Sequence, residues 1–208
     1  VHFAADDMLK VCDEGPHFEP KFIFYKTDKW KNIGKESQKA FEFLIKNFKK
    51  NIEIFDTPSY FKEIPKYHQI IHETDLANNF QVYYNKDKTK LSKEMREAIG
   101  RGLKYSAKEY TDAIDFMKRS YESYKEVFED YHGVLSPSSP GVAPKGLKST
   151  GTAEFNKFWS FMGTPCISLP LLQGENNLPL GVQLIGDKYD DHRFLGIARW
   201  LEKKSKDF

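Results

Sequence analysis

Long apolar runs are missing from this chain. No stretch approaches the ~18 residues that would span a bilayer, so no membrane partner is expected. Cysteine is scarce as well. Cys12 and Cys166 are the only two in 208 residues, too few for a disulfide framework, and that usage suits a reducing, cytoplasmic compartment. Neither sign of charge is in excess. The 32 Lys and Arg set against 30 Asp and Glu leave a net charge of +2, which argues against nucleic acid as a partner. No signal peptide is expected, because the amino-terminal stretch has neither a basic opening nor a long apolar segment. The chain begins Val1-His2-Phe3, and residues 3–11 read as a helix already under way. Either that end is ragged, or the chain starts inside a larger domain.

What is present is enough for a folded core. Aromatic residues make up 15% of the chain, too many for disorder. A chain of this length buries about 70% of its unfolded surface without needing metal or disulfides. Phe22-Ile23-Phe24-Tyr25 reads as a buried strand. Phe41, Leu44, Ile45 and Phe48 recur at i, i+3, i+4, i+7 on one helix face, and residues 51–55 follow as a second strand. Strand, helix, strand in this length predicts a parallel βαβ unit. A helix is expected over residues 65–80, with Tyr67, Ile70 and Ile71 inward.

Ser106 and Glu109 form a capping box, which predicts a helix start there. Tyr110, Ile114, Met117, Tyr121, Tyr124, Phe128 and Tyr131 then alternate at spacings of four and three, up to Gly133 in the place of a helix C′ glycine. The seam suits a coiled coil or, with its four tyrosines, a helix lying on a sheet. After Gly133 charge thins out, and Pro, Gly and Ser become frequent. Residues 133–137 read as a strand. Phe155, Phe158, Trp159 and Met162 form a further helical stripe. Residues 166–171 and 181–186 pair as a hairpin, and Asp190 or Asp191 caps a last helix with Phe194, Ile197, Ala198 and Leu201 inward. The fold class is therefore α/β, a mixed β-sheet with helices on its faces. The chain reads as a single domain over 1–208, with a βαβ and helical part over 1–132 and a loop, hairpin and terminal helix over 133–208.

No self-sufficient catalytic set is visible. His68 and His72 stand at i, i+4, but Gln69 occupies the place where a zinc-protease helix needs Glu, and they read as ordinary helix histidines. Ser59-x-x-Lys62 has none of its companion motifs. Cys166 reads as a small buried strand residue. No metal and no cofactor is expected. The site-like feature is the loop from Ser136 through Ser138 and Ser139 to Pro144, beside Phe155, Phe158 and Trp159. Placed hydroxyls with aromatic walls make a pocket for a small molecule, and the same residues would equally serve as rigid turns over an aromatic core.

Tyr131-His132-Gly133-Val134-Leu135-Ser136-Pro137-Ser138-Ser139-Pro140-Gly141-Val142-Ala143-Pro144 resembles the "YD-hydrophobic-hydrophobic-TP-x-x-P-x-x-AP" segment of the amidase signature family. Phe155-Asn156-x-x-Trp159 and Gly163-x-Pro165-Cys166-Ile167-Ser168-Leu169-Pro170 are similar to its "FN-x-x-W" and "G-x-PAxSxP". Leu178 to Gly186 is similar to its "LPxGVQLIG", and Ala5-Asp6-Asp7-Met8-Leu9 resembles its "SVxDLAL" helix. The segments keep the family's order and spacing, and they correspond to its C-terminal half.

The resemblance implies the C-terminal part of the amidase signature fold. It also implies hydrolysis of the C–N bond of a small or aromatic carboxamide, by a serine nucleophile with a bridging serine and a lysine base. None of those three residues has a counterpart here, so no catalytic residue is assigned and the chain alone is expected to be inactive. Ala153 stands near the place where the family's tRNA-dependent amidotransferases carry a substrate-reading Asp, which favours the stand-alone amidase type. The alternative is a non-catalytic interaction domain using the same fold segment. Strands uncovered by the absent half imply a homodimer through the truncated face, burying more than ~1,000 Å².

Overall fold

A computed structural model of the protein describes residues 8–207. They fall into two compact units. One holds the described residues up to Pro58 together with those from Lys125 onward, and the other is Ser59–Tyr124. Along the chain the first unit opens with α1 (Met8–Glu14), β1 (Phe22–Lys26), α2 (Lys35–Asn47) and β2 (Ile52–Asp56). The second consists of α3 (Ile64–Lys86), α4 (Lys93–Gly102) and α5 (Ala107–Lys125, its last residue lying past the boundary). The chain then returns to the first unit with α6 (Val127–Asp130), β3 (Gly133–Pro137), α7 (Lys157–Met162), β4 (Cys166–Gln173), β5 (Pro179–Ile185) and α8 (Asp191–Lys204). The resemblance of residues 5–9 to a family helix lies mostly outside the described residues.

The sheet of the first unit has the order β2-β1-β3-β5-β4. β1 is parallel to β2 and β3, while β5 runs antiparallel to both β3 and β4. The βαβ unit and the terminal hairpin therefore share one mixed sheet, as the sequence predicts. Alternation along the strands gives the two faces different jobs. Phe22, Phe24, Ile52, Leu135, Leu169, Val182 and Leu184 point to one face, where Phe41, Leu44 and Phe48 of α2 and Phe194, Ile197, Ala198 and Leu201 of α8 complete the main core. On the other face Ile23, Tyr25, Val134, Ser136, Gln183 and Ile185 are buried. There the Trp159 ring of α7 stacks on Tyr25 at 6.4 Å and 9°. Burial raises the Tyr25 phenol to about 12, so it stays protonated at any physiological pH.

Within the helical unit, a charged pin joins α3 to α4. Glu73 of α3 is 4% exposed and takes bonds from Arg101 of α4, Nε at 2.9 and 3.1 Å and Nη2 at 2.7 Å. Gln69 and Tyr105 donate to the same carboxylate. Burial pushes the Glu73 carboxyl up, but these donors outweigh it and hold the group below its usual range. Gly102 allows the close approach: a Cβ there would strike the Glu73 backbone carbonyl.

Several details differ from the sequence reading. The helix predicted to end near residue 80 runs on to Lys86, and α4, capped by Ser92 on Met95 N at 3.2 Å, is a separate helix within the charge-dense stretch 86–130, whose helix signal did not mark it out. The capping box forms as predicted, with Ser106 N donating to Glu109 at 2.8 Å and Glu109 N to Ser106 Oγ at 3.2 Å. The helix it starts stops at Lys125, however, and its most buried residues are Ala113, Ser120 and Tyr124. Ala113 and Ser120 share the inner face with the large Tyr124 ring, while Tyr110 donates to Asp75 at 2.9 Å. Gly133 is not a helix cap but the first residue of β3, where a side chain would meet Leu184 Cδ1 at 2.7 Å. Asp190 precedes α8 without making a capping hydrogen bond, its carboxylate standing 3.9 Å from Arg193.

Candidate functional site

The site grows from the carboxyl end of β3, where the chain leaves the sheet. Ser136 is the last buried hydroxyl, 1% exposed. Ser138 N donates to Gly181 O at 3.3 Å, so the loop starts pinned to β5. Ser139 Oγ donates to Gly141 O at 2.5 Å and tightens the turn. Gly34 N then donates to Pro140 O at 3.2 Å, tying the loop to the start of α2. Asn32 Nδ2 donates to Glu154 at 3.0 Å near the loop's far end. Prolines and these few bonds hold open a cavity of about 460 Å³, lined by Ser139, Pro140, Val142, Pro144, Thr150 and Thr152 among others.

Next to the cavity lies a small constellation that motif reading did not assemble. Ser138 Oγ and Ser168 Oγ stand 2.9 Å apart and open to solvent. Both crowd the space where a side chain on Gly181 would lie. Ser168 pairs with Gln183 across the hairpin, and Ser136 pairs with Gln183 from the other side. Residues directly opposite one another share a face, so Ser136, Ser168 and Gln183 form one polar strip on the face opposite the main core. Gln183 is 7% exposed, and its Oε1 is buried with no hydrogen-bond partner. The period-two pattern of the two hairpin strands was the available signal: it puts Ser168, Gly181 and Gln183 on one side.

The other expected residues lie elsewhere. Phe155, Phe158 and Trp159 are 1%, 3% and 1% exposed, side chains of the core in this chain. Cys166, expected to be buried, is exposed at the start of β4. Partial burial of the sulfur itself nonetheless pushes the thiol up to about 11, so it is un-ionised at neutral pH. The edge position explains the exposure, because β4 pairs only with β5. Among the described residues no group of three or more His, Cys, Asp or Glu is arranged to hold a metal ion. The His68 and His72 rings stack 5.7 Å apart. No helix among the described residues is long and apolar enough to cross a membrane.

Exposed paired hydroxyls beside a Pro- and Thr-walled cavity can orient a polar group, as donor or acceptor. Among the described residues neither hydroxyl is hydrogen-bonded to a base that would make it a nucleophile.

Known proteins share this architecture. The model of the family described as Amidase matches residues 17–195. The A-type subunit of the glutamyl-tRNA(Gln) amidotransferase of Alkaliphilus metalliredigens is 35% identical over 103 residues, 46% of this chain and 21% of that protein. A fatty acid amide hydrolase of Arabidopsis thaliana is 26% identical over 127 residues, 55% of this chain and 21% of that protein. A solved 6-aminohexanoate cyclic dimer hydrolase, complexed with substrate, shares the fold with a TM-score of 0.77 at 14% identity, over 98% of this chain and 48% of that one. The chain thus spans about a fifth of these curated relatives and just under half of the solved structure.

Proposed function

Because the chain belongs to the amidase family, we propose that it works as the substrate-side part of an enzyme hydrolysing the C–N bond of a small or aromatic carboxamide. Members of the family are hydrolases acting on such bonds. In this reading the serine nucleophile, its bridging serine and the lysine base come from polypeptide outside these 208 residues. This chain contributes the loop from Ser136 to Pro144 and the hydroxyl pair Ser138/Ser168, which orient the amide. The observation that carries the reading is the match of the family model over residues 17–195. The substrate class follows the relatives whose names specify amides, such as the fatty acid amide hydrolase. It also rests on Ala153, which offers no carboxylate to read an amino-acid substrate.

A second reading is favoured by the 35% identity to a glutamyl-tRNA(Gln) amidotransferase: the intact protein would release ammonia from an amino-acid amide for transfer to a tRNA-borne acyl group. The two are separated by supplying the amino-terminal half of an amidase in trans and comparing substrates. Release of aniline from simple anilides, with glutamine left intact, is expected. Ammonia release from glutamine without anilide turnover would establish the amidotransferase reading instead.

A further inference from the structure

His132 stands just before β3, at the end of that strand away from the Ser136–Pro144 loop. There it exchanges two hydrogen bonds with Lys21, the residue before β1. His132 N donates to Lys21 O at 2.8 Å, and Lys21 N donates to His132 Nδ1 at 3.0 Å. Parallel pairing of β1 and β3 starts one step further on, at Phe22 and Gly133. The imidazole is thus the first acceptor along the β1–β3 seam. An imidazole nitrogen accepts only while it carries no proton. The bond from Lys21 therefore fixes His132 as the neutral ring, with its proton on Nε2.

The surroundings side with that state. Phe18 stacks on the His132 ring at 4.4 Å and 28°, and the Arg193 guanidinium of α8 lies over Phe18 at 5.4 Å. Partial burial, and after it the positive charge of Arg193, hold His132 below its ordinary value; a backbone bond to Lys21 pulls the other way without prevailing. Tyr131, Asp187, Asp190 and Arg193 line the same small cavity as His132. Tyr131 is engaged elsewhere, donating to Glu53 at 2.8 Å. Asp190 stands 3.9 Å from Arg193, and burial raises its carboxyl. The segment before β1 has a second anchor on its other side. Asn51 Nδ2 donates to Pro20 O at 2.9 Å and to Glu19 at 3.3 Å, and an amide does not titrate.

We propose that His132 is an acid-operated latch: with Nδ1 bare it takes the Lys21 N–H and fastens residues 16–21 to β3, and on protonation it lets that amide go while the Asn51 anchor stays. A protonated Nδ1 turns from acceptor to donor, so the Lys21 N–H loses its partner whichever way the ring then bonds. The latch is closed above the ordinary imidazole value of 6.5 and opens as pH falls through the lowered one. The amidase segment that residues 131–144 resemble has Asp at this position, and a carboxylate still accepts at about pH 5. The histidine is what brings the change into the range near neutrality. The latch does not rest on the hydrolytic reading, since no catalytic readout enters its test.

The test is amide hydrogen exchange of the 208-residue chain by NMR, expressed as protection factors so that the intrinsic pH dependence of exchange drops out. The Lys21 N–H is expected to lose protection between about pH 7.5 and about pH 5, with the midpoint at which the His132 ring itself titrates. The Phe22 N–H, which donates to Asn51 O at 2.6 Å, keeps its protection. His132→Asn sets an amide oxygen where Nδ1 lies and holds Lys21 at both ends of the range. Arg193→Gln removes the opposing charge and moves the midpoint to higher pH. Equal protection of Lys21 at both ends overturns the proposal. So does a loss that persists in His132→Asn, or one that spreads to Phe22. If His132→Asn does not fold, the wild-type chain decides alone: a Lys21 midpoint that departs from the ring's own overturns the latch.

Discussion

Two side chains behave against their exposure, and each yields a measurement. Cys166 is open to solvent, yet its thiol is held up at about 11. The thiolate is the reactive form, and a free cysteine titrates near 8.5. Alkylation of Cys166 by iodoacetamide at about pH 8 should therefore run roughly a hundredfold slower than that of a free thiol. Peptide mass spectrometry after timed quenching reads this directly, and the rate should climb steeply toward pH 11.

Glu73 shows the opposite balance. Burial raises its carboxyl, but the Arg101, Gln69 and Tyr105 donors win and lower it. A carboxyl lowered in the folded state stabilises above its unfolded value, and loses that contribution as pH falls through its own lowered value. The stability gap between wild type and Glu73→Gln should thus be full at about pH 6 and shrink toward pH 3 in urea titrations. A gap that widened on acidification would mean that burial, not the Arg101 pair, controls the group. At this scale the sequence reading was least informative. Ser136, Ser138 and Ser139 were legible as a polar loop, but the partners Ser168 and Gln183 come from a hairpin some 30 residues later in the chain. Only strand register brings them together.

Among elements, close contacts decide more than propensity. α3 and α4 meet at Gly102, where a Cβ would fall 2.6 Å from the Glu73 carbonyl carbon and 2.9 Å from Ala77 Cβ. Alanine normally gains about 1 kcal/mol over glycine in a helix. Here backbone has to move, and Gly102→Ala should cost about 3 kcal/mol, the upper end for overpacking. Thermal unfolding measures the sign, and a stabilised variant would contradict the packing. Ser106→Ala, which removes the hydroxyl half of the capping box, should cost about 1 kcal/mol. The elements themselves were largely readable. Phe41, Leu44 and Phe48 announced α2, and Phe155 to Met162 announced α7, because apolar period follows burial. The strand over 133–137 was readable; the end of the helix before it was not, since the apolar seam runs on from Lys125 to Tyr131 and Gly133 has the look of a helix cap. α4 was not told apart from its helical, charge-dense surroundings because its cap, Ser92, has no acidic partner at the third helical position, which is Met95.

On the scale of the molecule, one mixed sheet collects every strand among the described residues, with the main apolar core on one face and the polar strip of Ser136, Ser168 and Gln183 on the other. Amidase membership and the α/β class were both legible, because the motifs from Tyr131 to Gly186 trace this sheet's second half in order. The division into a sheet-bearing unit and a helical one was not, since the composition change falls at Gly133 and the division at Pro58 and Lys125. The reading of this chain as the substrate-side part of an amidase stands or falls on where the acyl-transfer machinery lies. Acyl transfer needs nucleophile, base and oxyanion donors within hydrogen-bond reach of one another, and among the described residues the Ser138–Ser168 pair is hydrogen-bonded to no base. The most direct measurement is hydrolysis of a chromogenic anilide by the purified 208-residue chain, followed to long times at high protein concentration. The expected result is no turnover above the buffer rate, with turnover appearing when an amidase amino-terminal half is added. Turnover by the chain alone, abolished by changing one of its own serines, would contradict it.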